Sequence, residues 1–182
     1  TYTQEIKTTV RFMSETINTF QDFYQLENRN TVIFDVRKPI NDIINMLSGR
    51  FSNFFIQIRT EDLREINFKG IPSELAHTML IIFENIIEVV ENRDIKDAQV
   101  NIENHIENQK VVISIEDNLK GIDVKIIDKI FEPYVSTKVE KKSSGMGLYI
   151  ARTIIEEKMR GQLTVNNTNT GAIFKIILPI LK

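Results

Sequence analysis

The chain contains no cysteine, which excludes disulfides and thiolate metal sites, and two histidines are too few for an ordinary zinc site. That composition suits a reducing, cytoplasmic setting. An excess of one charge sign is also missing. Lysine and arginine number 23 against 25 aspartates and glutamates, so no basic surplus points to nucleic acid and no acidic tail is present. Long apolar runs are absent as well: stretches such as Met79 to Phe83 meet a charge after a few residues, whereas spanning a bilayer takes about 20. No membrane contact is expected within this segment. The first residues are polar without a signal-peptide core, and Thr1 in place of Met suggests a piece of a longer protein whose anchor, if it has one, lies upstream.

A chain of 182 residues can build one sizeable core plus an appendage, since domains usually run to about 100 to 150 residues. The appendage is N-terminal. Ile6, Val10, Met13, Ile17, Phe20 and Tyr24 recur at alternating spacings of four and three, the seam of a helix that packs on other helices. This arm is expected over 1–26, with a globular domain over 27–182.

Within the domain, 31–34 reads as a strand, with Asp35 capping a helix that carries Pro39 in its first turn and stops at Gly49. Residues 54–59 and 66–68 read as short strands. Ser73 is placed to cap a long helix over about 73–92, whose Leu75, Met79, Ile82, Ile86, Val89 and Val90 form a stripe wide enough to cover a sheet. Segments 98–103 and 110–116 form a predicted hairpin, 124–130 a short helix, 146–159 a helix ended by Gly161, and 162–166 and 172–178 two closing strands. Helices alternating with hairpins indicate a two-layer α/β sandwich, a mixed sheet with helices on one face, preceded by an N-terminal helix.

Three segments carry chemistry. Asp117 precedes a glycine-permitted turn ending in Gly121 and Ile122, and a carboxylate there can accept from the amine of adenine. Lys138, after Thr137, can neutralise phosphate charge. Ser144, Gly145, Met146, Gly147 and Leu148 open an amphipathic helix whose free N–H groups can hold phosphates. This order points to ATP. Asn85 offers one neutral amide oxygen to magnesium, which takes its other partners from water and phosphate. His77 and His105 read as structural.

Taken together these blocks resemble the ATP-binding catalytic domain of two-component sensor histidine kinases, in the wider superfamily of type II topoisomerases, mismatch-repair ATPases and heat-shock chaperones. Asn85 matches the asparagine helix, 117–121 the first glycine box, 131–138 the phenylalanine box, 145–148 the second glycine box, and Gly171 with Phe174 the last strand turn. The resemblance implies a Bergerat-type ATPase fold, ATP and magnesium as ligands, and Asn85 as the metal residue. Nucleotide contacts would come from Asn85, Asp117, Gly121, Ile122, Thr137, Lys138, Ser144, Gly145, Met146, Gly147 and Leu148. It likens the arm to the second helix of a dimerisation hairpin. That implies a homodimer in the full-length protein, phosphoryl transfer to a histidine outside this segment, no autophosphorylation by the segment itself, and a response-regulator receiver domain as partner.

Three positions depart from the pattern. Leu119 stands for a glycine and would resist a positive φ, Ile81 stands for an earlier asparagine, and Ile86 replaces a small residue and would crowd the base. The departures keep open a degenerate, non-catalytic nucleotide-binding or dimerisation module; a serine kinase of the anti-sigma type is a third reading.

Overall fold

In the computed structural model, which describes residues 31–135 and 145–180, the chain divides into two units, Thr1–Asn30 and Thr31–Lys182. The predicted arm over 1–26 lies outside the described residues, as do Thr137, Lys138 and Ser144.

Strand β1 (Val32–Asp35) ends on the carboxylate that starts the next helix. Asp35 Oδ1 accepts the backbone N–H of Arg37 at 3.1 Å and Oδ2 accepts from its Nε at 2.7 Å, satisfying one donor that a helix start leaves open. Helix α1 (Arg37–Met46) buries Pro39, Ile40 and Ile43. The predicted stop at Gly49 is displaced: Leu47 breaks the helix, and Gly49 lies inside a second one, α2 (Ser48–Asn53). Phe51 gives the reason. Its ring packs edge-on against Phe83 with centroids 5.5 Å apart, and that burial favours a helical continuation through the glycine.

The strand expected over 54–59 shortens to β2 (Gln57–Arg59), because Phe55 takes a φ of 54° and cannot be extended. Strand β3 (Asn67–Gly70) pairs antiparallel with β1 in a two-stranded sheet of its own. Helix α3 (Pro72–Arg93) then begins without the serine cap: Pro72 supplies the first turn, and Ser73 is buried inside the helix. Proline fits there because its φ is already helical and its missing N–H would have had no partner.

A five-stranded mixed sheet holds the other layer. Strands β4 (Gln99–Glu107) and β5 (Lys110–Asp117) form the predicted hairpin, turning on Asn108 and Gln109, both at positive φ, as a two-residue hairpin loop requires. Helix α4 (Gly147–Thr153) runs into a π-helical turn (Ile154–Lys158), and β6 (Gln162–Asn167) and β7 (Ala172–Pro179) close the chain. The sheet order is β2-β4-β5-β7-β6, parallel only between β2 and β4. The helix expected to be ended by Gly161 stops at Lys158, and the left-handed residue after it is Arg160, with a φ of 54°, rather than the glycine. Gly161 is needed for a different reason, since a Cβ there would collide with the Ile177 carbonyl of β7. The segment expected as a helix over 124–130 is a single 3₁₀ turn (Ile127–Lys129).

Alternation on β7 puts Ala172, Phe174, Ile176 and Leu178 into the core and leaves Ile173, Lys175 and Ile177 half-buried on the other face. The helices cover the first face only, which is the anticipated two-layer sandwich. Leu75, Met79, Ile82, Phe83 and Ile87 of α3 are fully buried in its core. Glu74 joins α3 to the π-helical turn through Lys158, Nζ to Oε1 at 2.7 Å.

Two predictions follow from this packing. Phe83→Ala removes a fully buried ring and is expected to destabilise the domain by about 3 to 5 kcal/mol, read as a lowered urea midpoint. His77 is held at about 4 by burial, helped by the charge of Lys158, so it is neutral in the fold and takes up its proton more readily in the unfolded chain. Because the unfolded state binds more protons between the two values, stability should fall as pH drops through about 6.5 toward 4 and change little from this source below that. Urea midpoints across that interval should flatten in His77→Gln.

Candidate nucleotide-binding site

Asp117 closes β5 and is 7% exposed. Its Oδ1 accepts the backbone N–H of Leu119 at 2.8 Å and that of Ala172 at 3.2 Å, while Oδ2 has no hydrogen-bond partner among the described residues. Burial pushes the carboxyl above its usual range, Glu116 pushes the same way, and the two N–H groups and Arg93 pull against them. A carboxylate held through one oxygen, with the other uncommitted among the described residues, is suited to accept from a ligand N–H. Gly171 makes this possible, because a Cβ there would lie 2.6 Å from Asp117 Oδ1 and would collide with its backbone carbonyl.

The turn after Asp117 is braced from several sides. Lys120 donates its N–H to the Thr170 carbonyl at 2.9 Å. The Asn167 side chain accepts from the Ile122 N–H at 2.8 Å and donates to its carbonyl at 2.7 Å. Asn118 ties the turn to β4, accepting from Gln99 N–H and donating to the Asp97 carbonyl, both at 2.8 Å. From the end of α3, Arg93 Nη1 donates to the Leu119 carbonyl at 2.7 Å.

The feared strain at Leu119 does not arise. Positive φ falls on Lys120 (66°) and Gly121 (73°), and Leu119 is buried with the core at 3% exposure. Ile86 likewise turns into the core, 3% exposed.

A second group of residues lies along α3. Asn85 donates Nδ2 to the Ile81 carbonyl at 2.8 Å, which leaves Oδ1 without a partner among the described residues. Gly147, the first residue of α4, sits against the same turn: a Cβ there would be 3.3 Å from Ile81 Cγ2 and 3.9 Å from Asn85 Nδ2. Gly145, with φ 65°, packs on the turn at Tyr134, where its carbonyl accepts from Tyr134 N–H at 3.1 Å and a Cβ would meet the Tyr134 backbone at 2.8 Å. Met146 and Leu148 flank Gly147, Leu148 packing on the core. Ile150 on the same helix is 37% exposed.

Helix α3 therefore touches both segments, the glycines near Asn85 and the Asp117 turn near Arg93. Eight residues of helix separate the two, about 12 Å at 1.5 Å per residue, a span on the scale of a nucleotide from purine to terminal phosphate. Among the described residues no cluster of three or more His, Asp or Glu could hold a metal ion, so a metal here would depend on one protein oxygen, water and phosphate. A cavity of about 410 Å³ lies elsewhere, on the open face of the sheet, lined by Glu61, Asp62, Glu103 and Glu116 with Arg59. That acidic lining would repel a triphosphate. Arg93, Asn167 and Thr170 were not among the expected site residues; Arg93 falls one residue past the expected end of the α3 helix, which in the structure includes it.

The family model described as histidine kinase-, DNA gyrase B-, and HSP90-like ATPase matches residues 70–182, well over half of the chain. The chain belongs to this family. It is 28% identical over 150 residues to the sensor histidine kinase ZraS of Salmonella typhimurium, covering 78% of this chain and 30% of ZraS. It is 37% identical over 70 residues to the two-component sensor PprA of Pseudomonas aeruginosa, covering 38% of this chain and 8% of PprA. The chain thus spans less than a third of the length of these relatives. The nucleotide-free catalytic domain of histidine kinase ThkA superposes with a TM-score of 0.72 at 20% identity, covering 83% of this chain and 96% of that one. A structure of ThkA in complex with the response regulator TrrA gives 0.72 at 21% identity, covering 97% and 50%. The two-layer sandwich is accordingly the fold of histidine kinase catalytic domains. No described helix is long and apolar enough to cross a membrane.

The buried charge at Asp117 has a stability consequence. A carboxyl whose pKa is raised by folding opposes the fold when ionised, and that cost is relieved as pH falls through the raised value. Asp117→Asn, which keeps an oxygen for the Leu119 and Ala172 N–H groups and removes the charge, is expected to raise the melting temperature at pH 7, by differential scanning calorimetry, with the gain shrinking at acid pH.

Proposed function

We propose that this chain is the ATP-binding catalytic part of a two-component sensor histidine kinase. The observation that carries the reading is the pairing, by one helix, of a half-satisfied buried carboxylate with a glycine-lined helix start. Asp117 Oδ2 would accept the exocyclic amine of adenine; guanine presents a carbonyl there, leaving two acceptors face to face at a cost of about 1 to 3 kcal/mol or more. Gly145 and Gly147 let the backbone approach phosphate, and the N–H groups opening α4 would donate to it. Lys138, with Thr137 and Ser144, would add charge and hydrogen bonds.

The residues present fit magnesium in one respect: Asn85 directs its donor to the Ile81 carbonyl and so keeps its amide oxygen uncommitted among the described residues. Bound magnesium would neutralise phosphate charge. The protein's own part is to position the nucleotide and exclude competing geometries. The γ-phosphoryl group would pass to a histidine carried on another segment, and from there to an aspartate of a response-regulator receiver domain. The homology to sensor kinases and the ThkA likeness support this reading. The arm over 1–26 would belong to the hairpin through which such proteins dimerise, in a cytoplasmic portion of the parent. The departure at Leu119 lends no support to a degenerate module, since the left-handed conformations fall on its neighbours.

Isothermal titration tests the proposal. ATP should bind more tightly with magnesium than without, and more tightly than GTP. Asn85→Ala should abolish the magnesium-dependent gain, and Asp117→Asn should weaken ATP at least about tenfold while narrowing its advantage over GTP. Absence of ATP binding at millimolar excess would remove the kinase assignment.

A further inference from the structure

We propose that Arg93 is a positioning residue that sets the adenine-reading turn by tying it to α3, the helix that carries Asn85. The inference rests on the nucleotide site described above and goes beyond it, because Arg93 would touch neither base nor phosphate. Its Nη1 donates to the Leu119 carbonyl at 2.7 Å and lies 3.5 Å from that of Gly121. The Leu119 N–H in turn fixes Asp117 Oδ1 at 2.8 Å. One guanidinium thereby reaches the recognition carboxylate through the backbone of a single residue, Leu119.

The turn needs such a hold. Lys120 sits at φ 66°, a conformation that is unfavourable for a non-glycine residue and persists only where the surroundings over-determine it. Thr170 and Asn167 supply braces from the β6–β7 side. Among the described residues Arg93 supplies the side-chain hydrogen bond from α3, adding to the core packing of Leu119 in fixing the turn relative to Asn85 and Gly147. Its place as the last residue of α3 suits a cation, since helix carbonyls there point toward it. The next residue, Asp94, takes a left-handed φ of 47° and ends the helix, which fixes where the arginine emerges. Arg93 also favours the ionised form of Asp117 by its charge.

A probe lacking the base separates positioning from general destabilisation. Inorganic tripolyphosphate would engage the glycine segment but not the turn. On the full 182-residue chain, Arg93→Met should weaken ATP about tenfold, the scale of one hydrogen bond from a charged donor. Tripolyphosphate affinity should stay within about twofold of wild type, so the ratio of the two affinities changes. Arg93→Lys should recover part of the loss. If Arg93→Met does not fold, Arg93→Lys and Arg93→Gln carry the same comparison of ratios. An unchanged ratio in variants that melt like wild type overturns the role of Arg93 alone. A wild-type chain that binds tripolyphosphate but no ATP overturns the adenine-site reading itself, and this inference with it.

Discussion

The burial of α3 in the core, beside α1 and α4, is the constraint from which the rest of the site descends. Its Leu75, Met79, Ile82, Phe83 and Ile87 are sealed from water, and at about 1.5 to 3 kcal/mol for each large apolar side chain this one helix supplies much of the driving force for the fold. A helix fixed that firmly cannot rotate or slide. Asn85 and Arg93, on its partly exposed flank, inherit that rigidity, and so do the two segments resting on them, the glycines of α4 and the turn after β5.

The site is assembled at some cost to stability. Asp117 is desolvated with only one oxygen paired within the described residues, Lys120 takes a left-handed backbone without being glycine, and Glu74 keeps Oε2 buried without a partner even as its other oxygen pairs with Lys158. Two of these three liabilities lie in the proposed adenine turn. That concentration is what a recognition element demands: an acceptor left unpaired in the free protein is the one that a ligand donor can satisfy. The backbone N–H groups of Leu119 and Ala172 hold the carboxylate in place without consuming its second oxygen.

Several features were legible from residue order. The α3 stripe, the β4–β5 hairpin and the alternation of β7 follow from period alone. The glycines at 121, 145, 147 and 171 each meet a backbone need in the fold, left-handed φ at 121 and 145 and close approach at 147 and 171. Errors gathered where long-range packing overrode local preference. Gly49 reads as a helix stop, yet Phe51 pulls the chain onward to reach Phe83. Ser73 reads as a cap, yet Pro72 begins the helix and buries the serine. Leu119 reads as a misfit for a glycine position, yet the turn moves its left-handed residues one place along and uses the leucine as a core residue.

Spacing and residue type by themselves determined the class of fold, the helix that carries Asn85, and the aspartate and glycines that form the candidate site, because burial period and turn chemistry are local properties. Tertiary structure alone decided that Asp117 Oδ1 is bonded to Ala172 and that Asn167, Thr170 and Arg93 hold the turn after it. Those partners lie 26 to 55 residues apart, and a hydrogen bond between distant segments exists only once the core has fixed both of them in place.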